Sequence, residues 1–212
     1  MGVGWCLGGC EVPGPQVTYP PGSLPVRYEP ATKHTTCLVA SVAMAANYLL
    51  GERRFSEEGL LLDMRQAGLN ESNVADVKAY LQRHGLYLIT LTGKLDEKPP
   101  TGLKYWLANR GYPVICVINR EPDNPAFNHA VVVTGISANP EGVSVDNIHY
   151  FDPSSAQPLH SVEAAAFDIL WGRGQYAMMI VVAPPAGAPE APAPATRASS
   201  TTAGTGQTTT RR

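Results

Sequence analysis

Three side chains in this sequence have the types, and stand at the junctions, that thiol chemistry needs. Cys37 follows Thr35-Thr36 and opens the run Leu38-Val39-Ala40-Ser41-Val42-Ala43-Met44-Ala45-Ala46-Asn47-Tyr48-Leu49-Leu50. Threonine caps helices, the run is apolar on nearly every face, and Gly51 supplies a stop, so a central helix with the cysteine in its first turn is predicted. There a thiolate meets unpaired backbone N–H groups and the positive end of the helix dipole, both of which lower a thiol pKa. His129 heads the apolar strand pattern Ala130-Val131-Val132-Val133-Thr134-Gly135-Ile136, and Asp152 closes the next strand-like stretch before Pro153. A thiol, an imidazole to take its proton and a carboxylate to orient the imidazole make up a cysteine nucleophile with its base.

Each of these residues also has a plainer reading. A free cysteine is usually a small buried hydrophobe. His129 beside Asn128 reads equally as a surface or structural histidine, and Asp152 before a proline as a turn former. Asp146, Asn147 and Asn128 are rival partners for the imidazole. His34 is either a site residue or a loop residue, and His149 reads as a strand side chain facing solvent. The pairs Glu57-Glu58 and Asp96-Glu97 read as solvated surface, and Trp106, Trp171, Tyr150 and Phe151 as core.

The elements that must position these groups follow from periodicity and punctuation. Residues 11–32 carry six prolines and read as extended chain crossing the domain surface. After the Cys37 helix, Ser56 starts a second helix to about Ala67, and Val74, Val77, Tyr80 and Leu81 mark a third that Gly85 stops. Leu86–Thr90 is a short strand, and Leu103, Trp106 and Leu107 mark a short amphipathic helix. Tyr112–Asn119 is a central strand, and Val131–Ile136, Val143–Phe151 and Tyr176–Val182 supply three more. Between the last two, Ser161-Val162-Glu163 is read as a helix start, with Val162, Ala166, Ile169 and Leu170 turned to the sheet. From Pro184 the composition turns to Pro, Ala, Gly, Ser and Thr and cannot form a core.

Composition narrows the classes. The chain has 212 residues, 44% of them hydrophobic, enough for one domain with tails. Only 16% are charged, the formal charge is -2, and no basic block precedes Arg211-Arg212, so nucleic acid is not an expected partner. No stretch approaches the roughly 20 apolar residues of a membrane-spanning helix. The four cysteines at 6, 10, 37 and 116 form no Cys-x-x-Cys pair, and no clustered ligands suggest zinc, so no cofactor or metal is expected. Cys116 reads as core, and Cys6 and Cys10 could form a local bridge. Leu7-Gly8-Gly9-Cys10 resembles a bacterial lipoprotein processing box, which leaves localisation open among cytoplasm, secretion and lipid anchoring.

A cysteine opening an apolar helix, a later His-Ala-Val-Val-Val-Thr-Gly-Ile strand, and an Asp-Pro after one more strand together form a pattern. With Gly111-Tyr112-Pro113-Val114 ahead of the histidine, it resembles the bacterial papain-like cysteine peptidases, above all the C39-like peptidases and related papain-like effector domains. The similarity runs from about Tyr28 to Val182. It implies an α+β papain-like fold, an N-terminal helical half whose nucleophile helix packs on a C-terminal antiparallel sheet. It also implies Cys37 as nucleophile, His129 as general base and Asp152 as the group orienting the ring. Domains follow as an extended arm over 1–27, a peptidase domain over 28–183 and a disordered tail over 184–212.

The activity implied is hydrolysis of peptide or isopeptide bonds in a peptide or protein substrate. In the transporter-linked C39 branch it is cleavage after a double-glycine leader, although this chain carries no membrane segment or ATP-binding motif. The sequence departs from the family at two points. Family members usually have a glutamine a few residues before the nucleophile that donates to the oxyanion, whereas Pro30-Ala31-Thr32-Lys33-His34-Thr35-Thr36 has none. His34, Lys33 or a folded-back Gln16 are candidate substitutes, His34 having the best reach. Leu38 replaces the glycine that often follows the nucleophile. Losing one oxyanion donor typically costs about 2.7 to 4 kcal/mol of transition-state stabilisation. Two alternatives therefore stand beside hydrolysis: acyl transfer or deamidation on the same three groups, and a weak or inactive peptide-binding module.

Overall fold

The computed structural model describes residues 18–137 and 146–184. Cys6, Cys10 and Gln16, residues 143–145 of the expected fourth strand, and the tail beyond Pro184 lie outside the described residues. Ten regular elements follow in order: α1 (Cys37–Leu50), α2 (Glu57–Gln66), α3 (Val74–Arg83), β1 (Tyr87–Thr92), β2 (Val114–Ile118), β3 (His129–Ser137), β4 (Asn147–Phe151), β5 (Leu159–Glu163), α4 (Ala164–Arg173) and β6 (Ala177–Val182). A 3-10 turn at His34–Thr36 leads into α1, and the amphipathic segment before β2 closes as a π-helical turn at Tyr105–Asn109.

The strands form one antiparallel sheet in the order β1-β6-β2-β3-β4-β5. Period-two alternation sorts its side chains into two apolar layers. Ile115, Ala130, Val132, Met179 and Val181 face the layer that holds α1, α2 and α3. Val114, Cys116, Ile118, Val131, Val133, Met178 and Ile180 face the layer under α4 and the π-helical turn. The fold is the α+β arrangement expected from the sequence, helical half first, with α1 laid across the sheet on β3, β6 and β2. Residues 37 to 47 of α1 are all buried, which explains a helix without a polar face, and Gly51 ends it at φ 70°.

Four local readings are corrected. The threonines before Cys37 do not cap α1, because the Thr36 hydroxyl is engaged by Lys33 O and by Glu57 Oε1. Glu57 is not solvated: it is 2% exposed, its carboxylate taking Thr32 N, Thr32 Oγ1 and Thr36 Oγ1 while its own N–H reaches Glu29 Oε1. Ser161-Val162-Glu163 does not start a helix but pairs in β5 against His149, Ile148 and Asn147, so α4 begins later and turns Phe167 and Trp171 inward, leaving Ile169 57% exposed. His149 is buried, its Nε2 2.8 Å from Ser137 Oγ, because β4 lies between β3 and β5 rather than at an edge.

Residues 18–31 run extended over β3 and the chain that leaves β4. Leu24 N donates to Thr134 O, Ser23 bridges to Gly135, and Ala31 N donates to Pro153 O. A Cβ at Gly135 would stand 2.6 Å from Ser23 Cα, so only glycine admits this approach. Tyr19 and Tyr28 pack on Phe151, and the Tyr28 hydroxyl donates to Pro153 O at 3.1 Å.

Candidate active site

The first residue of α1, the first residue of β3 and the residue after β4 meet at one end of the sheet. Cys37 is 6% exposed, and its Sγ accepts the Ala130 N–H at 3.4 Å and a hydrogen bond from the Leu38 N–H. His129 is 3% exposed, its Nε2 2.7 Å from Asp152 Oδ1, and its ring lies close enough to Cys37 for each to shift the other's ionisation. With Nε2 occupied by Asp152, Nδ1 is the ring nitrogen left for the sulfur. Asp152 is 1% exposed; Oδ1 also accepts Ser154 N at 2.9 Å, and Oδ2 meets an Arg120 guanidinium nitrogen at 2.6 Å. The expected residues Cys37, His129 and Asp152 are therefore neighbours across 115 residues of sequence.

Electrostatics follow from this contact set. Burial pushes the Cys37 thiol up, but the His129 imidazole and the Ala130 and Leu38 N–H groups outweigh it and hold the thiol below its ordinary value. Burial likewise disfavours imidazolium, yet Asp152 and Cys37 raise His129 to about 9. Asp152 would rise on burial, but His129, the Ser154 N–H and Arg120 hold it well below the usual carboxylate range. All three directions favour a thiolate–imidazolium pair beside an ionised carboxylate. Cys116, by contrast, lies in β2 with burial alone acting on it, and its thiol is pushed far up.

The rival partners are elsewhere. Asp146 pairs with Lys104 at 2.6 Å, Asn147 lies in the β4–β5 ladder, and Asn128 is an exposed residue on the cleft rim. His34 is exposed, lines the same cleft as Cys37, and has its ring centroid 6.4 Å from that of His129. Lys33 is not part of the lining, the Thr32 and Thr36 hydroxyls are turned to Glu57, and Thr35 lines the cleft beside His34.

Cys37 and His129 open into a cleft of about 700 Å3 lined by neutral side chains, among them Leu38, Val74, Val117, Phe127 and Met179. No Asp, Glu, Lys or Arg lines it. Gln175, at φ 61°, and Tyr176, at φ 54°, hold two successive left-handed conformations in the turn before β6, and Gln175 faces the cleft. Such strain persists only where surroundings impose it. Here Gly174 is pressed on β2, where an added Cβ would lie 2.0 Å from Val117 O, and the Tyr176 hydroxyl donates to Asp168 Oδ2 at 3.2 Å. Sequence reasoning missed Arg120, Glu57 and Gln175. Arg120 and Glu57 are charged residues whose partners are remote in sequence, and Gln175 carries no local signal beyond the glycines before it.

Two solved structures share this fold. A double glycine motif protease from an AMS/PCAT transporter, crystallised with the leader peptide, is 19% identical over 77% of this chain and 96% of that chain, at a TM-score of 0.53. The peptidase domain of Streptococcus ComA, a bifunctional ABC transporter of a quorum sensing pathway, is 16% identical over 74% of this chain and 97% of that chain, also at 0.53. No family model and no curated protein matches the sequence. At these identities the likeness is one of fold alone, the α+β arrangement of a helical half packed on an antiparallel sheet. Among the described residues no helix is long and apolar enough to cross a membrane, and no group of three or more ligating side chains could hold a metal ion.

Proposed function

We propose that this chain is a cysteine peptidase that hydrolyses peptide or isopeptide bonds through Cys37, His129 and Asp152. The observation that carries the reading is the unbroken contact from Cys37 to His129 to Asp152 at the wall of a cleft. A buried cysteine with a purely structural role would need neither the imidazole nor the carboxylate behind it.

The reaction runs in two halves. Cys37 thiolate attacks the substrate carbonyl carbon, and its electron pair forms the C–S bond while the carbonyl π pair moves onto oxygen. His129 Nδ1–H passes its proton to the leaving amine as the C–N bond breaks, leaving a thioester. Neutral His129 then takes a proton from water, which attacks the thioester and releases acid and thiolate. Asp152 stays ionised throughout and keeps Nε2–H directed at itself.

The oxyanion falls to the N-terminus of α1 and to His34, which with Thr35 lines the cleft from the segment that lacks a glutamine. The likeness to a double glycine motif protease supports a peptide substrate, and a cleft without charged walls favours segments with uncharged side chains at the scissile bond. The peptidase unit is assigned to 28–183, with 1–27 as arm and 184–212 as tail.

The test is to incubate the full chain with a peptide library, read cleavage by mass spectrometry, and follow alkylation of Cys37 against pH. Cleavage that is lost in Cys37→Ala, with alkylation midpoint well below about 8.5, is expected. A Cys37 that alkylates with an ordinary midpoint and no Cys37-dependent cleavage would overturn the reading. The missing glutamine then favours a peptide-binding module on a peptidase fold.

A further inference from the structure

The carboxylate that His129 uses is shared with a second cation. Asp152 Oδ1 serves His129 Nε2 and Ser154 N, while Oδ2, on the other side of the carboxylate, serves Arg120 at 2.6 Å. Arg120 reaches this position from the chain just beyond β2, and its neighbours hold it there. Asn119 N donates to Leu170 O, Asn119 Nδ2 to Asn124 O, and Glu121 N to Asn119 Oδ1. Tyr150, buried in β4, adds a hydrogen bond with Arg120. The Arg120 side chain is 38% exposed and its partner is almost fully buried, so solvent screens this contact from one side only.

We propose that Arg120 is a positioning residue of the site, one that divides Asp152 between two cations and so limits how firmly the His129 imidazolium is held. The use of that limit rests on the thiol peptidase reading, in which the ring must surrender its proton to a leaving amine. A carboxylate committed wholly to His129 would hold the proton too tightly, and one without any cation on Oδ2 would have no partner for that oxygen among the described groups.

Other charged or titratable groups around the cluster are few. His129 faces Cys37 from α1 and the exposed His34 from the 3-10 turn. Asp152 and Arg120 face Tyr150 from β4, His160 from β5, whose ring stacks on Tyr150 at 5.1 Å, and Tyr28 from the arm. Of these groups only Arg120 and Asp152 carry charges that do not titrate between pH 4 and 10, and Arg120 is the sole cation of that kind.

The test is an NMR titration of the His129 ring in the full chain labelled with 15N-histidine. Arg120→Gln removes the charge, Arg120→Lys keeps it, and Arg120→Met keeps the alkyl stem alone. The expected result is a rise of the His129 midpoint of about 0.5 pH unit or more in Arg120→Gln and Arg120→Met, with Arg120→Lys within about 0.2 unit of wild type. In an Asp152→Asn background the rise should shrink to less than half. A midpoint that is unchanged or lowered in the uncharged variants would overturn the proposal, and Arg120→Met decides the matter should Arg120→Gln fold poorly. Because the ring itself is read, absence of peptide cleavage would bear on the peptidase reading and leave this result standing.

Discussion

Asp152→Asn weighs the charge of the third side chain while nearly preserving its shape. His129 is raised to about 9 from an ordinary 6.5, which is on the order of 3 kcal/mol. Burial opposes that rise; the strongest influence producing it is the hydrogen bond to Asp152, followed by the bond to Cys37 and then by the charges of the two in the same order. Asp152 is therefore the leading cause of the rise, and its charge should account for on the order of 1 pH unit or more. Asparagine can keep an oxygen toward His129 Nε2–H and Ser154 N–H, but its amide N–H2 must then face the Arg120 guanidinium, donor against donor. Arg120 can turn to solvent, so the lasting loss is at the ring. The expected outcome is a His129 midpoint lowered by about 1 unit or more, with Cys37 correspondingly less ionised at neutral pH. The assay is the 15N-histidine titration together with the pH dependence of iodoacetamide alkylation at Cys37. A folded Asp152→Asn protein whose midpoint stays within about 0.3 unit of wild type would refute the reasoning that the carboxylate holds the ring.

Four further outcomes are expected. His129→Ala should return Cys37 toward an ordinary thiol and slow its alkylation at pH 7 by about tenfold or more, read by mass spectrometry; undiminished reactivity would leave the imidazole without a role. Glu57→Ala strips the acceptor from Thr32 N, Thr32 Oγ1 and Thr36 Oγ1 and should lower stability in urea by about 2 to 4 kcal/mol, Glu57→Gln by less; a change under 0.5 kcal/mol would contradict the network. Gly174→Ala drives a Cβ to 2.0 Å from Val117 O and should cost about 1 to 3 kcal/mol, whereas an unaffected denaturation midpoint would mean the turn yields freely. In Cys37→Ala, where thiol titration is removed, the raised His129 contributes stability that is fully present below pH 6.5 and fades as pH climbs through the folded midpoint. The loss is about 2 kcal/mol, absent from Cys37→Ala/His129→Ala, and a flat profile in the single variant would contradict the His129–Asp152 pairing.

Where local pattern and tertiary context agree, the sequence can be read directly. Cys37–Leu50 is such a case: an all-apolar helix has only the interior to go to, and Gly51 marks its end. His129 and Asp152 were legible because each sits at a strand end, where a side chain can reach past the sheet. Glu57 was not, since its burial depends on residues 29, 32 and 36 folding back onto α2, and nothing near position 57 announces that. β5 shows a different failure. Leu159-His160-Ser161-Val162-Glu163 lacks strict alternation, and its pairing with β4 overrides the helical preference of the Glu-Ala-Ala-Ala that follows. Ile169 misled because a helix displaced from its expected start presents a different stripe. Arg120 pairs across 32 residues of chain, a distance at which charge pattern carries no information.

The place of β6 in the sheet sets the order in which this protein can mature. It is the last strand in sequence among the described residues, yet it lies between β1 and β2 and carries Ala177 and Met179 on the cleft wall. As the chain emerges from the ribosome, Cys37, His129 and Asp152 are all outside before the strand that completes the sheet beneath them. Until residues 177–182 insert, β1 has no strand partner and β2 has an open edge, and α1 lacks one of the three strands it packs on. Pairing of such sequence-distant strands is slow and cooperative. The cleft wall that Ala177 and Met179 supply can therefore form only after Cys37, His129 and Asp152 have all been synthesised.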